Sequence, residues 1–200
     1  MCNETKPIKL PEECRASILR IAPVRRKEAI KTLVDSKNYT LKTAEAKNEL
    51  GNHIAGEVTE IAVSAWLKES GVPNTRPNSV REEMDGKLPD IECTQYSISL
   101  DVKSTIGTVP SYQLGKPKSK AVVWCATERG EFDRERDYNT TVPLNVRILG
   151  WSTIEDFFNY GYEHNGESII HKYQFRCLTS LLEWLKTGVL PAADWCKASE

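Results

Sequence analysis

The sequence predicts a mixed α/β domain in which a central sheet of four or five strands is flanked by helices. Three observations predict this class. Apolar residues recur at helical spacing between Ile54 and Trp66, and apolar and polar residues alternate between Ile91 and Val102, as in a half-buried hairpin. Residues 121–126 form an unbroken apolar run of strand length. A chain of 200 residues with 40% hydrophobic content suits one such domain.

The N-terminal segment, residues 1–40, is interpreted as a helical extension ahead of a core domain over residues 41–200. An opening helix is expected from Pro11 to Pro23, because a proline inside a helix interrupts its hydrogen bonds. A second short helix is expected before the polar residues 35–38. The core domain therefore begins with the next helix.

A long amphipathic helix is predicted from Leu41 to Lys68, either continuous or broken near Gly51. Residues 71–74, Gly-Val-Pro-Asn, end this helix because glycine, proline and asparagine favour turns. Residues 72–89 are interpreted as a loop that can hold one short strand.

Four strands are predicted in the second half of the chain. The segments Ile91–Cys93 and Ile98–Val102 are expected to form a hairpin around residues 94–97. Residues 121–126 predict a central strand, and the alternation over residues 144–149 predicts a partly buried one. Two helices complete the predicted elements, at residues 153–160 and 178–186.

Charge and cysteine content exclude several classes of protein. The formal net charge is −1, so no overall basic field attracts nucleic acid, and local patches would have to bind it. The six cysteines include no closely spaced pair of the kind that binds zinc, and scattered thiols suit a reducing cytoplasm. No apolar run has the length of a membrane span, and the N-terminus lacks the apolar core of a signal peptide. We therefore expect a cytoplasmic protein with no membrane partner.

The predicted hairpin places candidate ligands on one face. Asp90 and Asp101 would converge from adjacent strands, and with the backbone carbonyl of Val102 they offer the hard oxygen ligands that Mg²⁺ prefers. Lys103 shares the face of Asp101, where it can lower the pKa of a metal-bound water or stabilise the transition state. The alternative is a solvated face on which Asp101 and Lys103 form a surface ion pair. The polar residues of this face are Asp90, Glu92, Ser99, Asp101 and Lys103.

Glu60 on the long helix is the fourth candidate. It shares a stripe with Gly56, Val63 and Leu67, so its carboxylate emerges from a small and apolar face. A carboxylate there is costly unless it is paired or bound to a metal. Glu57 is the competitor, on a stripe that resembles a solvated edge. We therefore expect Glu60, rather than Glu57, to be directed at the site.

The order of these parts resembles the PD-(D/E)XK nuclease superfamily, which has the restriction-endonuclease-like fold. That superfamily has an acid on its first core helix, an aspartate after proline on its second strand, and an acid-x-lysine on its third. In this sequence Glu60, Asp90, Asp101 and Lys103 fill those positions, and the resemblance covers about residues 50–160. Small restriction-type and resolvase-type members are the most similar.

The resemblance implies a Mg²⁺-dependent DNA endonuclease of the restriction or phage type, in which Mn²⁺ can substitute. It implies that Asp90, Asp101 and the Val102 carbonyl bind the metal, and that Glu60 holds a second metal ion or orients the attacking water. Hydrolysis would leave 5′-phosphate and 3′-hydroxyl ends. The expected substrate is double-stranded or branched DNA, bound by a homodimer, since one site cuts one strand.

Two other functions stay open on the sequence alone. A Holliday junction resolvase or DNA repair nuclease would use the same four residues on a different substrate. A non-catalytic DNA-binding or assembly module would share only the fold. The lysines Lys116, Lys118 and Lys120 are candidate contacts to DNA phosphates, and the basic segment at residues 25–27 is another. Solvated basic segments are the alternative interpretation of both.

Overall fold

The computed structural model of the protein describes most of the chain. The described residues are 5–37, 39–47, 50–76, 88–104, 111–112, 119–127, 142, 144–164, 167–170 and 174–195. The helices are α1 (Cys14–Lys37), α2 (Leu41–Lys47), α3 (Leu50–Glu69), α4 (Ile154–Tyr160) and α5 (Leu178–Thr187). The strands are β1 (Ile8–Lys9), β2 (Asn74–Thr75), β3 (Ile91–Cys93), β4 (Ile98–Ser104), β5 (Ser111–Tyr112), β6 (Ala121–Thr127), β7 (Asn145–Thr153), β8 (Tyr162–His164) and β9 (Glu167–Ile169).

The main sheet has six strands in the order β1, β7, β6, β4, β3, β2. Strands β4 and β6 run parallel, and the other neighbours are antiparallel. The mixed α/β class is therefore confirmed, and the predicted number of four or five strands is low because β1, a two-residue edge strand in the N-terminal segment, was not expected. A second sheet, in the order β5, β9, β8, was not predicted.

The hairpin of β3 and β4 has the predicted register. Ile91 pairs with Leu100, and Cys93 pairs with Ile98. The apolar residues that alternation assigned to one face are all buried. They are Ile91, Cys93, Ile98, Leu100 and Val102.

Apolar side chains cover both faces of the sheet. The main core cluster joins strands β3 and β4 to apolar residues of α1, α3 and α5. A smaller cluster on β6 joins Val122 and Trp124 to Phe157 of α4 and to Phe175, whose ring stacks on that of Trp124 at 5.5 Å between centroids. Strand β6 is thus buried on both faces, which explains its continuous apolar sequence.

The first forty residues contribute to the sheet and its core. Strand β1 pairs with β7, and Leu10, Ile18 and Ala22 belong to the main core cluster. Helix α1 packs against α3 and continues through Pro23, so the prediction of two helices interrupted there is wrong. Burial of the apolar residues Ile18 and Ala22 in the core offsets the hydrogen bond that the proline removes.

Several other elements match their predictions. The chain from Leu41 onward forms two helices, α2 and α3, and β2 is the short strand expected in residues 72–89. Strand β7 runs further than predicted, as far as Thr153, which also caps α4. The Thr153 hydroxyl accepts the Asp156 N–H at 3.1 Å, and the Asp156 carboxylate accepts the Thr153 N–H at 2.7 Å.

Cysteine pairing departs from the sequence interpretation. Cys177 is disulfide-bonded, whereas Cys14, Cys93 and Cys125 remain thiols. Wide spacing therefore did not exclude a disulfide, because residues distant in sequence can meet once the chain folds. None of the helices in the described ranges has an apolar stretch long enough to span a lipid bilayer.

Candidate active site

Asp90 lies immediately before β3, at the point where that strand stops pairing with β4. The Val102 N–H of β4 would have no backbone partner from β3 there, and the Asp90 carboxylate accepts it instead, at 2.7 Å. This bond fixes the Asp90 side chain beside β4. The Val102 N–H thus lies at Asp90, and the role expected for the Val102 carbonyl as a metal ligand stays a prediction.

Asp101 and Lys103 lie on the face of β4 opposite Leu100 and Val102. The Asp101 side chain is 9% exposed, and its Oδ1 atom accepts a hydrogen bond from Lys103 Nζ at 2.8 Å. Lys103 is 40% exposed, so its ammonium group contacts both the buried acid and solvent. The pair is half-buried, which differs from the fully solvated ion pair of the alternative interpretation.

The carboxyl groups of Asp90 and Asp101 hydrogen-bond to each other. Burial raises the pKa of Asp90 well above its usual 3.8, and the neighbouring charge of Asp101 and the hydrogen bond to it raise it further. The charge of Glu60 also raises the pKa of Asp90, whereas the charge of Lys103 lowers it. Asp90 therefore keeps its proton at pH values where an exposed aspartate has lost it.

Glu60 on α3 is buried, and arginines engage both of its carboxylate oxygens. Arg25 of α1 forms two parallel bonds to it, Nη1 to Oε1 at 2.7 Å and Nη2 to Oε2 at 2.8 Å. Arg76, just after β2, donates from Nη2 to Oε2 at 2.9 Å. Glu60 is 3% exposed, and its charge is compensated by arginines, the paired state that was one of the two expected for it; its direction toward the site stays a prediction.

Glu57 belongs to the same ion network, so the expectation of a solvated edge is wrong. It is 1% exposed. Its Oε1 atom accepts a bond from Arg76 at 2.8 Å, and Oε2 lies 3.2 Å from Arg25 Nη2. The network of Arg25, Arg76, Glu57 and Glu60 contains two positive and two negative charges. Glu57 is buried because Arg25 of α1 and Arg76 after β2 cover its side of α3.

The arginines of this network were missed as site residues by the sequence interpretation. Arg25 was considered only as part of a basic segment that could contact phosphates, and Arg76 was not considered. One signal was available, because a buried acid on an apolar stripe implies a basic partner. Nothing in the sequence spacing indicates which of the 27 lysines and arginines supplies it.

A search for similar proteins contributes no assignment. No family model, curated protein or solved structure matches the chain. Its function must therefore be inferred from the geometry of the site.

The donor set at Asp90 and Asp101 suits a divalent cation. Both groups supply carboxylate oxygens, the ligand type that Mg²⁺ prefers, and the two carboxyl groups interact directly with each other. A cation would also relieve the charge repulsion that raises the pKa of Asp90. Within the described ranges, no group of three His, Cys, Asp or Glu side chains is arranged to hold a metal ion. A metal site at the two aspartates therefore stays a prediction.

The candidate DNA-binding lysines are only partly described. Lys116 and Lys118 lie outside the described residues. Lys120 is exposed just before β6, and its backbone N–H donates to the Ser99 carbonyl at 3.0 Å. Its side chain remains a candidate phosphate contact.

Proposed function

We propose that the protein is a Mg²⁺-dependent DNA endonuclease with a restriction-endonuclease-like core, as the resemblance to the PD-(D/E)XK superfamily implies. The observation that carries this proposal is the meeting of Asp90, Asp101 and Lys103 at one end of the β3–β4 hairpin. Two adjacent carboxyl groups and an ammonium group on a half-exposed face suit phosphodiester hydrolysis.

In this proposal Asp90 and Asp101 hold the metal ion, with the Val102 carbonyl as a third ligand. The bound ion supplies Lewis-acid stabilisation of the charge that develops on the phosphate. The Val102 N–H orients the Asp90 carboxylate, and the Lys103 ammonium group orients that of Asp101. Both acids are thus held in place before substrate binds, which reduces the reorganisation needed for catalysis.

Lys103 is the group placed to act on the substrate. Its Nζ atom contacts Asp101, and its partial exposure places the ammonium group at the solvent side, from which a phosphate oxygen or the attacking water would approach. The positive charge then stabilises the transition state, and the products carry 5′-phosphate and 3′-hydroxyl ends. Cleavage of both strands would use a homodimer, with one site for each strand.

The direct test is incubation of the purified protein with supercoiled plasmid and with a four-way DNA junction, in Mg²⁺, Mn²⁺ or EDTA. An endonuclease of the restriction or phage type linearises or nicks the plasmid only with metal. Preferential cutting of the junction would instead identify a resolvase. Binding of both substrates with no metal-dependent cleavage of either would refute the nuclease proposal and leave a non-catalytic DNA-binding module.

A further inference from the structure

The ion network around Glu60 determines how many metal ions the site can hold. Arg25 donates two short parallel hydrogen bonds to the Glu60 carboxylate, which is the strongest geometry available to an arginine and a carboxylate. Arg76 bonds to the Oε2 atom of the same group. A metal ion at Glu60 would have to displace at least one of these guanidinium contacts.

Displacing an arginine here is unfavourable for two reasons. The side chains of Arg25, Glu57 and Glu60 are between 2% and 8% exposed, so a guanidinium that lost its carboxylate would remain a buried charge. An incoming dication would also lie against two positive groups, Arg25 and Arg76, in a region of low dielectric constant. The network is electrically balanced without any metal.

Glu60 nevertheless lies close enough to act on the aspartates through space. Its helix, α3, packs directly against β4, the strand that carries Asp101. Helix α3 packs in the main core cluster with Leu100 and Val102, on the face of β4 opposite Asp101. Glu60 therefore neighbours the site from the other side of the strand.

We propose that Arg25 and Arg76 occupy the place of a second divalent cation at Glu60, so that the site binds a single metal ion at Asp90 and Asp101. Glu60 is then a positioning residue that acts through its charge and through the packing of α3, and the arginines supply the positive charge that a second metal would supply. This inference rests on the proposed metal-dependent function and restricts it to one metal ion for each chain.

The test is Mn²⁺ binding to the full-length protein, measured by the loss of the free-ion electron paramagnetic resonance signal and by calorimetry, with no DNA present. Wild type should bind one ion per chain. Asp101→Asn should weaken binding at least 10-fold, whereas Glu60→Gln should change it less than about 3-fold, because only Asp101 is a ligand. Glu57→Gln is the matched control, with the same change of charge in the same network.

Two outcomes overturn the inference: two ions per wild-type chain, or a loss in Glu60→Gln comparable to that in Asp101→Asn. Absence of Mn²⁺ binding overturns it as well. Circular dichroism of each variant shows whether it is folded, and the wild-type stoichiometry decides the question even if one variant is not. Plasmid cleavage is scored separately. One bound ion without cleavage refutes the nuclease function alone, and cleavage with two bound ions refutes only the single-metal inference.

Discussion

Replacement of Asp90 by asparagine should stabilise the protein, although it removes a candidate metal ligand. The asparagine carbonyl can still accept the Val102 N–H, and its amide can donate to Asp101, so both hydrogen bonds are retained. The change removes only the capacity to carry a negative charge beside Asp101 and Glu60. Stability gained on losing a functional group is expected where an active site is strained for function.

The sign and size of the stability change expected for Asp90→Asn follow from the raised pKa of Asp90. Between the usual value of 3.8 and the raised value, the folded protein holds one proton here that the unfolded chain has released. The free energy of unfolding of the wild type therefore falls as pH rises through this interval, by up to about 1.4 kcal/mol per pH unit. The asparagine variant lacks this pH dependence of the free energy of unfolding. In a domain of this size the difference in Tm should widen by roughly 3–5 °C per pH unit.

The assay is thermal unfolding of wild type and Asp90→Asn by circular dichroism in EDTA at pH 5, 6 and 7. His53, whose pKa burial and nearby arginines lower to about 4, contributes a slope of opposite sign, which cancels in the difference between the two proteins. Glu92→Gln, an exposed acid on β3, serves as the control and should show no such trend. A variant less stable than wild type, or a difference independent of pH, would refute the reasoning.

Three further predictions concern single residues. Arg25→Gln should destabilise the fold by about 3–5 kcal/mol in urea unfolding, because it leaves two buried carboxylates with Arg76 as their only partner in this network, whereas Arg15→Gln, which breaks a surface ion pair with Glu12, should change stability little. Lys103→Ala should fold and bind DNA normally but cut plasmid about 10²-fold more slowly; unchanged cleavage would remove the lysine from the mechanism. Gly150→Ala should lower stability by about 1–3 kcal/mol, because its β-carbon would lie 2.7 Å from a buried phenylalanine. Gly56→Ala, in open space on α3, should be neutral or stabilising by up to about 1 kcal/mol.

The sequence predicted those features that depend on local periodicity. Alternation along β4 was sufficient to place Asp101 and Lys103 on one face, because side chains in a strand must alternate, whereas Asp90 lies before β3 and is held by its hydrogen bond from the Val102 N–H. The continuous apolar run of β6 correctly indicated a central strand. Burial of Glu60 could also be inferred, since its helical stripe is otherwise small and apolar.

The features that were missed depend on contacts between distant segments. The partners of Glu60 come from α1 and from the residue after β2, 35 and 16 positions away, and no periodic pattern connects them. Strand β1 has only two residues and exists because β7 offers a free edge. Pro23 was expected to end a helix, but tertiary packing against α3 overrides that local preference.

Plasmid cleavage by Asp101→Asn and Glu92→Gln tests the central claim most directly. Both substitutions remove one acid from the same face of the β3–β4 hairpin, but only Asp101 belongs to the pair proposed to hold the metal. With wild type cutting in Mg²⁺ and not in EDTA, Asp101→Asn should lose at least about 10²-fold in rate and Glu92→Gln should cut like wild type. Equal rates for Asp101→Asn and wild type would contradict the claim that this aspartate pair is the catalytic centre.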